Sequence, residues 1–127
     1  MVSANGLPPA ARLRRAADFS AMRHARGRIE TRYFLIRYQA SATGSCRMGL
    51  AVSRRVSKRA VTRNRIKRAA RESFRRARAG LPEVDVLLIA RNAAADADND
   101  SLRADLQGAW PRLKTLKPVS APGTMAD

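Results

Sequence analysis

Acidic residues are scarce in this chain. Its 127 residues hold 10 aspartates and glutamates against 26 lysines and arginines, a formal charge of +16. Two-metal hydrolysis needs clustered carboxylates, and the most basic stretch contains a single acid, Glu72. Imidazole and thiol are scarcer still: His24 and Cys46 stand alone. A His/Cys metal site is therefore not expected, and His24 reads as a surface residue. A single cysteine forms no intrachain disulfide, which fits a reducing, cytoplasmic location. No GxSxG elbow and no Walker-type loop occurs. The longest apolar run, Val86 to Ala90, falls far short of the ~20 residues of a membrane span. No apolar segment of the signal-peptide kind stands at the start. These absences argue against a stand-alone enzyme and against a membrane protein.

What the chain has is positive charge in one place. Residues 58–78 read KRAVTRNRIKRAARESFRRAR, with Arg55 just before them. Wound at 100° per residue, Ile66, Ala69, Ala70, Ser73, Phe74 and Ala77 fall on one arc. Asn64, Lys67, Arg68, Arg71 and Arg75 fall on the opposite arc, so one face is built to pack and the other to be wet or bound. Like charges at i,i+4 repel, as Lys67 does Arg71 and Arg71 does Arg75; only the Arg68–Glu72 and Glu72–Arg76 pairs offset this. A polyanion would relieve that repulsion, and the guanidinium fork suits phosphate oxygens. A nucleic acid is the expected partner. An anionic membrane surface is the weaker choice, because only Ile66 and Phe74 are bulky on the apolar side.

Hydrophobic residues make up 45% of the chain, enough for one domain with a modest core. Residues 1–11 read as a loose arm and 118–127 as a frayed tail, flanking a domain at 12–117. A short helix is expected from about Ala16 to Arg26, with Phe19, Met22, Arg23 and Arg26 on one face and Gly27 as its C′ cap. Arg32 to Tyr38 reads as a strand, Tyr33, Leu35 and Arg37 facing one way and Phe34, Ile36 and Tyr38 the other. SATG is a turn, and Arg47 to Ser53 a second strand with Met48, Leu50 and Val52 inward. The basic helix stops near Gly80–Leu81–Pro82. Val84 to Ala90 reads as a central strand covered on both sides. Asp96, Asp98 and Asp100 resemble the start of a calcium loop. Ser101 replaces its turn glycine, however, and Gln107 its closing glutamate, so Asp100 or Ser101 is instead expected to cap the last helix. That helix runs from about Leu102 to Lys117, with Leu102, Leu106, Ala109, Trp110 and Leu113 apolar, and Pro111 should kink or restart it. The order helix, two or three strands, helix, strand, helix predicts an α+β sandwich with a mixed sheet.

RNRIKRAARESFR (63–75) resembles the signature of the protein-subunit family of bacterial ribonuclease P. LRRAADF (13–19), RMGLAVSRRV (47–56) and VDVLLIAR (84–91) are similar to other parts of that family, in order, over roughly residues 12 to 116. The resemblance implies a single αβββαβα domain with a left-handed βαβ crossover, similar to a ribosomal-protein fold. It implies the protein subunit of an endonuclease that removes the 5′ leader from precursor tRNA, its active site and Mg2+ ions held mainly by the RNA. The protein would raise substrate affinity, with one protein per catalytic RNA. Arg63, Asn64, Arg65, Lys67, Arg68 and Arg71 would meet the catalytic RNA. Phe19, Arg23, Tyr38, Arg54 and Arg55 would line a leader cleft between the first helix and the sheet, where rings stack on splayed bases and cations follow the backbone. Two departures from the family stand out: Arg23, where relatives often carry an aromatic, and Pro111. The rival readings are a ribosomal or other structural RNA-binding protein, and a DNA-compacting or membrane-surface protein.

Overall fold

In a computed structural model the elements follow as α1 (Ala16–Arg23), β1 (Gly27–Glu30), β2 (Phe34–Ala40), β3 (Arg47–Ala51), α2 (Ala60–Ala77), β4 (Val84–Ala90) and α3 (Asn99–Thr115). The structure describes residues 11–13, 16–41 and 44–115; most of the expected arm, Arg14, Arg15 and the expected tail lie outside them. Strand order is β1-β2-β4-β3. β2 pairs antiparallel with β1 and β4, while β3 and β4 run parallel with α2 as their crossover. The mixed sheet and the αβββαβα order are those expected, and β4 is central, as its unbroken apolar run required.

Alternation along the strands separates two packing layers. Phe34, Ile36, Tyr38, Val84, Val86 and Leu88 join Ile66, Ala70 and Phe74 of α2 and Leu102, Leu106, Trp110 and Leu113 of α3 in the main core. Leu87 points the other way, into a smaller cluster with Leu13, Met22 and Ala25, against which Phe19 and Ile89 pack. Helix α1 thus covers one face of the sheet and α2 with α3 the other. Each side chain as fully buried as Phe34, Phe74 or Leu106 contributes about 1.5–3 kcal/mol. The small residues on the back of α2 let it lie against α3, where Trp110 Nε1 donates to Ser73 Oγ at 2.9 Å.

Several boundaries differ from expectation, each because a distant segment intervenes. Helix α1 ends at Arg23, and Gly27 is no helix cap: it opens β1, paired with Tyr38. A Cβ there would stand 2.5 Å from the Tyr38 carbonyl oxygen and 2.6 Å from its ring. Gly27→Ala is therefore expected to lower stability by about 1–3 kcal/mol through forced displacement of the β1–β2 ladder; an unchanged denaturant midpoint would remove this role. The strand expected from Arg32 starts at Phe34 because Asp105 of α3 clasps the β1–β2 turn. Its Oδ2 accepts from Thr31 Oγ1 at 2.6 Å and from Tyr33 N at 3.0 Å, and its Oδ1 from Arg32 N at 3.3 Å. Tyr33 consequently turns into the main core instead of sharing a face with Leu35. Strand β3 stops at Ala51, two residues early. Ala11, placed in the arm by its sequence, is fully buried in the main core, and Leu13 N donates to the Met48 carbonyl at 3.1 Å.

The cap of α3 is Asp98, not Asp100 or Ser101. Its Oδ1 accepts from Ser101 N at 2.7 Å. The Ser101 amide, and after it the Ser101 hydroxyl, holds the Asp98 carboxyl below its ordinary range. Helix α3 continues through Pro111 without restarting. The ring lies on the exposed side, while buried Trp110 and Leu113 hold both flanks in the core.

One ion pair anchors the α1 side of the sheet. Arg47 Nε and Nη2 donate to Asp85 Oδ1 and Oδ2 at 2.9 and 2.8 Å, and Nη1 lies 3.7 Å from Asp18 of α1. The Asp85 hydrogen bond is the main reason the Arg47 guanidinium holds its proton more firmly than usual. Cys46 is buried beside this strand, and burial pushes its thiol up to about 11, which keeps it protonated and unreactive at neutral pH.

Candidate nucleic-acid interface

Helix α2 is one unbroken helix of 18 residues, so the periodicity of its sequence becomes a physical ridge. Ile66, Ala69, Ala70, Ser73 and Phe74 are its buried residues. Asn64, Arg68, Arg71 and Arg75 are exposed on the other side, with Lys67 half-buried among them. Of the two offsetting ion pairs expected, Glu72–Arg76 forms at 2.8 Å. Arg68 makes no ion pair among the described residues and is exposed. The helix also begins with no side-chain cap and no acid in its first turn. The positive end of its dipole, beside Lys58 and Arg59, thus has neither a capping side chain nor an acid of its own first turn to neutralise it.

Arg63 and Arg65 behave differently from the rest of the ridge. Arg63 Nη1 donates to the Ser57 and Lys58 carbonyls, both at 3.0 Å, and so fixes the segment leading into α2. Arg65 reaches across to α3. Its Nη1 donates to Ala97 O at 2.8 Å and Asn99 Oδ1 at 3.3 Å, and its Nη2 to Ala95 O at 3.3 Å. Both arginines brace the ridge, Arg63 through Nη1 and Arg65 through both terminal nitrogens.

A second feature lies on the α1 face of the sheet. Phe19 rests half-buried over Gly49, where a Cβ would come within 2.9 Å of the ring. Leu35, Ile89 and Ala51 form one cross-strand row and are half-exposed, as is Arg37 in the next row. Arg37 Nη1 donates to the Ala25 carbonyl at 3.1 Å, tying β2 to the end of α1. Arg23 stands exposed on the last turn of α1. We call this half-exposed row, with Phe19 and Arg37 on the same face of the sheet, the trough. At the end of that row the chain leaves β3, turns through exposed Arg54 and Arg55, and enters α2. Trough and ridge are therefore joined by this basic turn.

Tyr38 is not part of the trough, which corrects the position expected for it. It is 5% exposed and belongs to the main core, on the face opposite α1. The period-2 alternation that pairs Tyr38 with Phe34 and Ile36 already placed it there, and the same alternation puts Arg37 on the α1 side. Arg37 therefore stands on the α1 side in place of Tyr38, a position that strand register already indicated.

The described residues include no cluster of three or more His, Cys, Asp or Glu side chains, and Glu72, the one acid of α2, accepts from Arg76. No helix among them is long and apolar enough to cross a membrane. What the ridge and trough can do is bind: phosphates along α2, and unstacked bases between Phe19 and the open row of the sheet.

The family model described as Ribonuclease P matches residues 7–114. The ribonuclease P protein component of Halorhodospira halophila is 40% identical over 104 residues, covering 81% of this chain and 85% of the relative. That of Chromohalobacter salexigens is 37% identical over 114 residues, 89% of each. Among solved structures, the RNase P protein of Staphylococcus aureus superposes with a TM-score of 0.76 at 27% identity, over 84% of this chain and 98% of that one. The RNase P protein of Thermotoga maritima gives 0.70 at 27% identity, over 80% and 96%.

Proposed function

The chain belongs to the ribonuclease P protein family, and from that membership we propose how its two surfaces divide the work. As a ribonuclease P protein component it is a subunit of an endoribonuclease complex, partners an RNA subunit and serves tRNA processing. In our reading the ridge of α2 grips the catalytic RNA through Asn64, Lys67, Arg68 and Arg71, with Arg63 and Arg65 holding the ridge in shape. The trough takes the single-stranded 5′ leader of precursor tRNA: Phe19 stacks on a base, while Arg23, Arg37, Arg54 and Arg55 follow the backbone. Bond cleavage belongs to the RNA subunit and to magnesium ions that the RNA holds. The complex acts in the cytoplasm, with one protein per catalytic RNA.

The observation that carries this reading is the ridge itself, a row of cations on one rigid helix with its only acid already paired. Such a surface costs self-repulsion in the free protein and is relieved by a polyanion. The scarcity of candidate catalytic side chains beside it supports leaving the chemistry to RNA.

Reconstitution tests the division. The protein is mixed with its cognate ribonuclease P RNA at low magnesium and given precursor or mature tRNA. Faster leader removal and tighter precursor binding are expected. Phe19→Ala should weaken precursor binding by about 5- to 150-fold, the range of one lost base stack, and leave mature tRNA unaffected. Equal losses on both substrates would reduce Phe19 to packing, and no effect of the protein on leader removal would defeat the whole reading.

A further inference from the structure

We propose that the groove between α2 and α3 is a further RNA-binding site, which takes one unpaired nucleotide of the catalytic RNA. The inference rests on the ridge reading above and extends it around the side of α2.

Two hollows lie end to end along this groove, of about 100 and 220 Å³. They share Glu72 and Arg103 as lining, so they are neighbouring parts of one groove. The hollow follows from sequence: α2 contributes the small, buried Ala69 and Ser73 between the long side chains of Arg65, Arg68, Glu72 and Arg76. Arg68 stands on the α2 wall, Arg103 and Gln107 on the α3 wall. Arg68 is thus common to ridge and groove, and a strand lying on the ridge passes the mouth of the groove.

The chemistry of the lining selects a nucleotide over a simple anion. Arg68 has no acceptor in the protein among the described residues. Arg103 Nη2 is held by Asp100 Oδ1 at 2.6 Å, but Asp100 is 90% exposed, and an ion pair so open to water is weak enough for a phosphate to replace. Both side chains line the smaller hollow, and guanidinium forks suit a backbone phosphate. Glu72 stands where the two hollows meet. A carboxylate there repels a free phosphate but accepts N–H groups from a base edge, and Oε1 alone is taken by Arg76. Gln107 is exposed and its amide can both donate and accept. A phosphate between Arg68 and Arg103, with its base turned along Glu72 and Gln107, satisfies every one of these groups. Sequence-specific readers of RNA take splayed bases in this manner.

The test uses the full-length protein and its cognate ribonuclease P RNA. Wild type, Arg71→Ala, Arg103→Ala and Gln107→Ala are titrated across a salt series, and the RNA is probed with a reagent that modifies unpaired nucleotides. Arg103→Ala is expected to weaken binding about tenfold and to flatten the salt slope by roughly 0.7–0.9. The same unpaired nucleotide should regain reactivity in Arg103→Ala and Gln107→Ala but stay protected in Arg71→Ala. If Arg71→Ala weakens binding while Arg103→Ala and Gln107→Ala match wild type in affinity, slope and reactivity, the groove assignment falls and the ridge reading stands. If Arg71→Ala also matches wild type, both fall. Weaker binding with no nucleotide regaining reactivity overturns the groove assignment as well. A melting curve of each variant identifies any that fails to fold, and Gln107→Ala, at an exposed position, then carries the test in place of Arg103→Ala.

Discussion

Replacing Lys67, Arg68 and Arg71 together by alanine should lower affinity for the cognate ribonuclease P RNA by about 10²- to 10³-fold. Each lost charge-assisted contact is worth on the order of tenfold, and neighbours on one face do not add fully. The slope of log affinity against log salt should flatten by roughly 2 to 2.7, since each lost phosphate contact accounts for about 0.7–0.9. Stability should move the other way. The three side chains lie on one helix face, Arg68 and Arg71 exposed and Lys67 half-buried. Their loss relieves repulsion of a few tenths of a kcal/mol per pair in favour of the best helix former. The free variant is therefore expected to melt at or slightly above the wild-type temperature. A binding loss with an unchanged salt slope would show that the ridge does not contact phosphate.

Arg47→Met carries the largest expected cost in stability. Asp85 sits in the central strand with its side chain 3% exposed, and its partner's is 13% exposed. Removing the guanidinium leaves a carboxylate in the sheet without its bidentate donor, and breaking a buried pair from one side costs about 3–5 kcal/mol. That is a large share of the roughly 5–15 kcal/mol of a typical domain. The double variant Arg47→Met with Asp85→Leu removes both charges and should recover most of the loss. Urea melts of the single and double variants decide it. A single variant within about 1 kcal/mol of wild type would mean that water reaches Asp85 well enough to replace the arginine. Because Arg47 also lies 3.7 Å from Asp18, loosening of α1 over the trough should accompany the loss, seen as weaker binding of leader-bearing substrate.

The two faces of α2 and the central place of β4 were legible without coordinates. Both follow from periodicity within one segment, which reports burial directly when the segment is long and regular. Strand alternation was equally informative, and it separated Arg37 from Tyr38 correctly where the family pattern did not. The resemblance at residues 63–75 treated six residues of α2 as equivalent. The fold divides them into exposed Asn64, Arg68 and Arg71 with half-buried Lys67, and two arginines that donate back to backbone carbonyls.

The chain's own sequence therefore determined the local matters: that α2 and α3 are helices, that β2, β3 and β4 are strands, and which side of α2 is cationic. Tertiary structure alone decided which groups meet. The reach of Arg65 to Ala97, the clasp of Asp105 on Thr31 and the Arg47–Asp85 pair join residues 32, 74 and 38 positions apart. The same holds for the groove that Arg103 shares with Arg68. Spacing within a segment cannot encode such meetings, because they depend on how whole elements stack, and stacking is set by the summed burial of both cores rather than by any one motif.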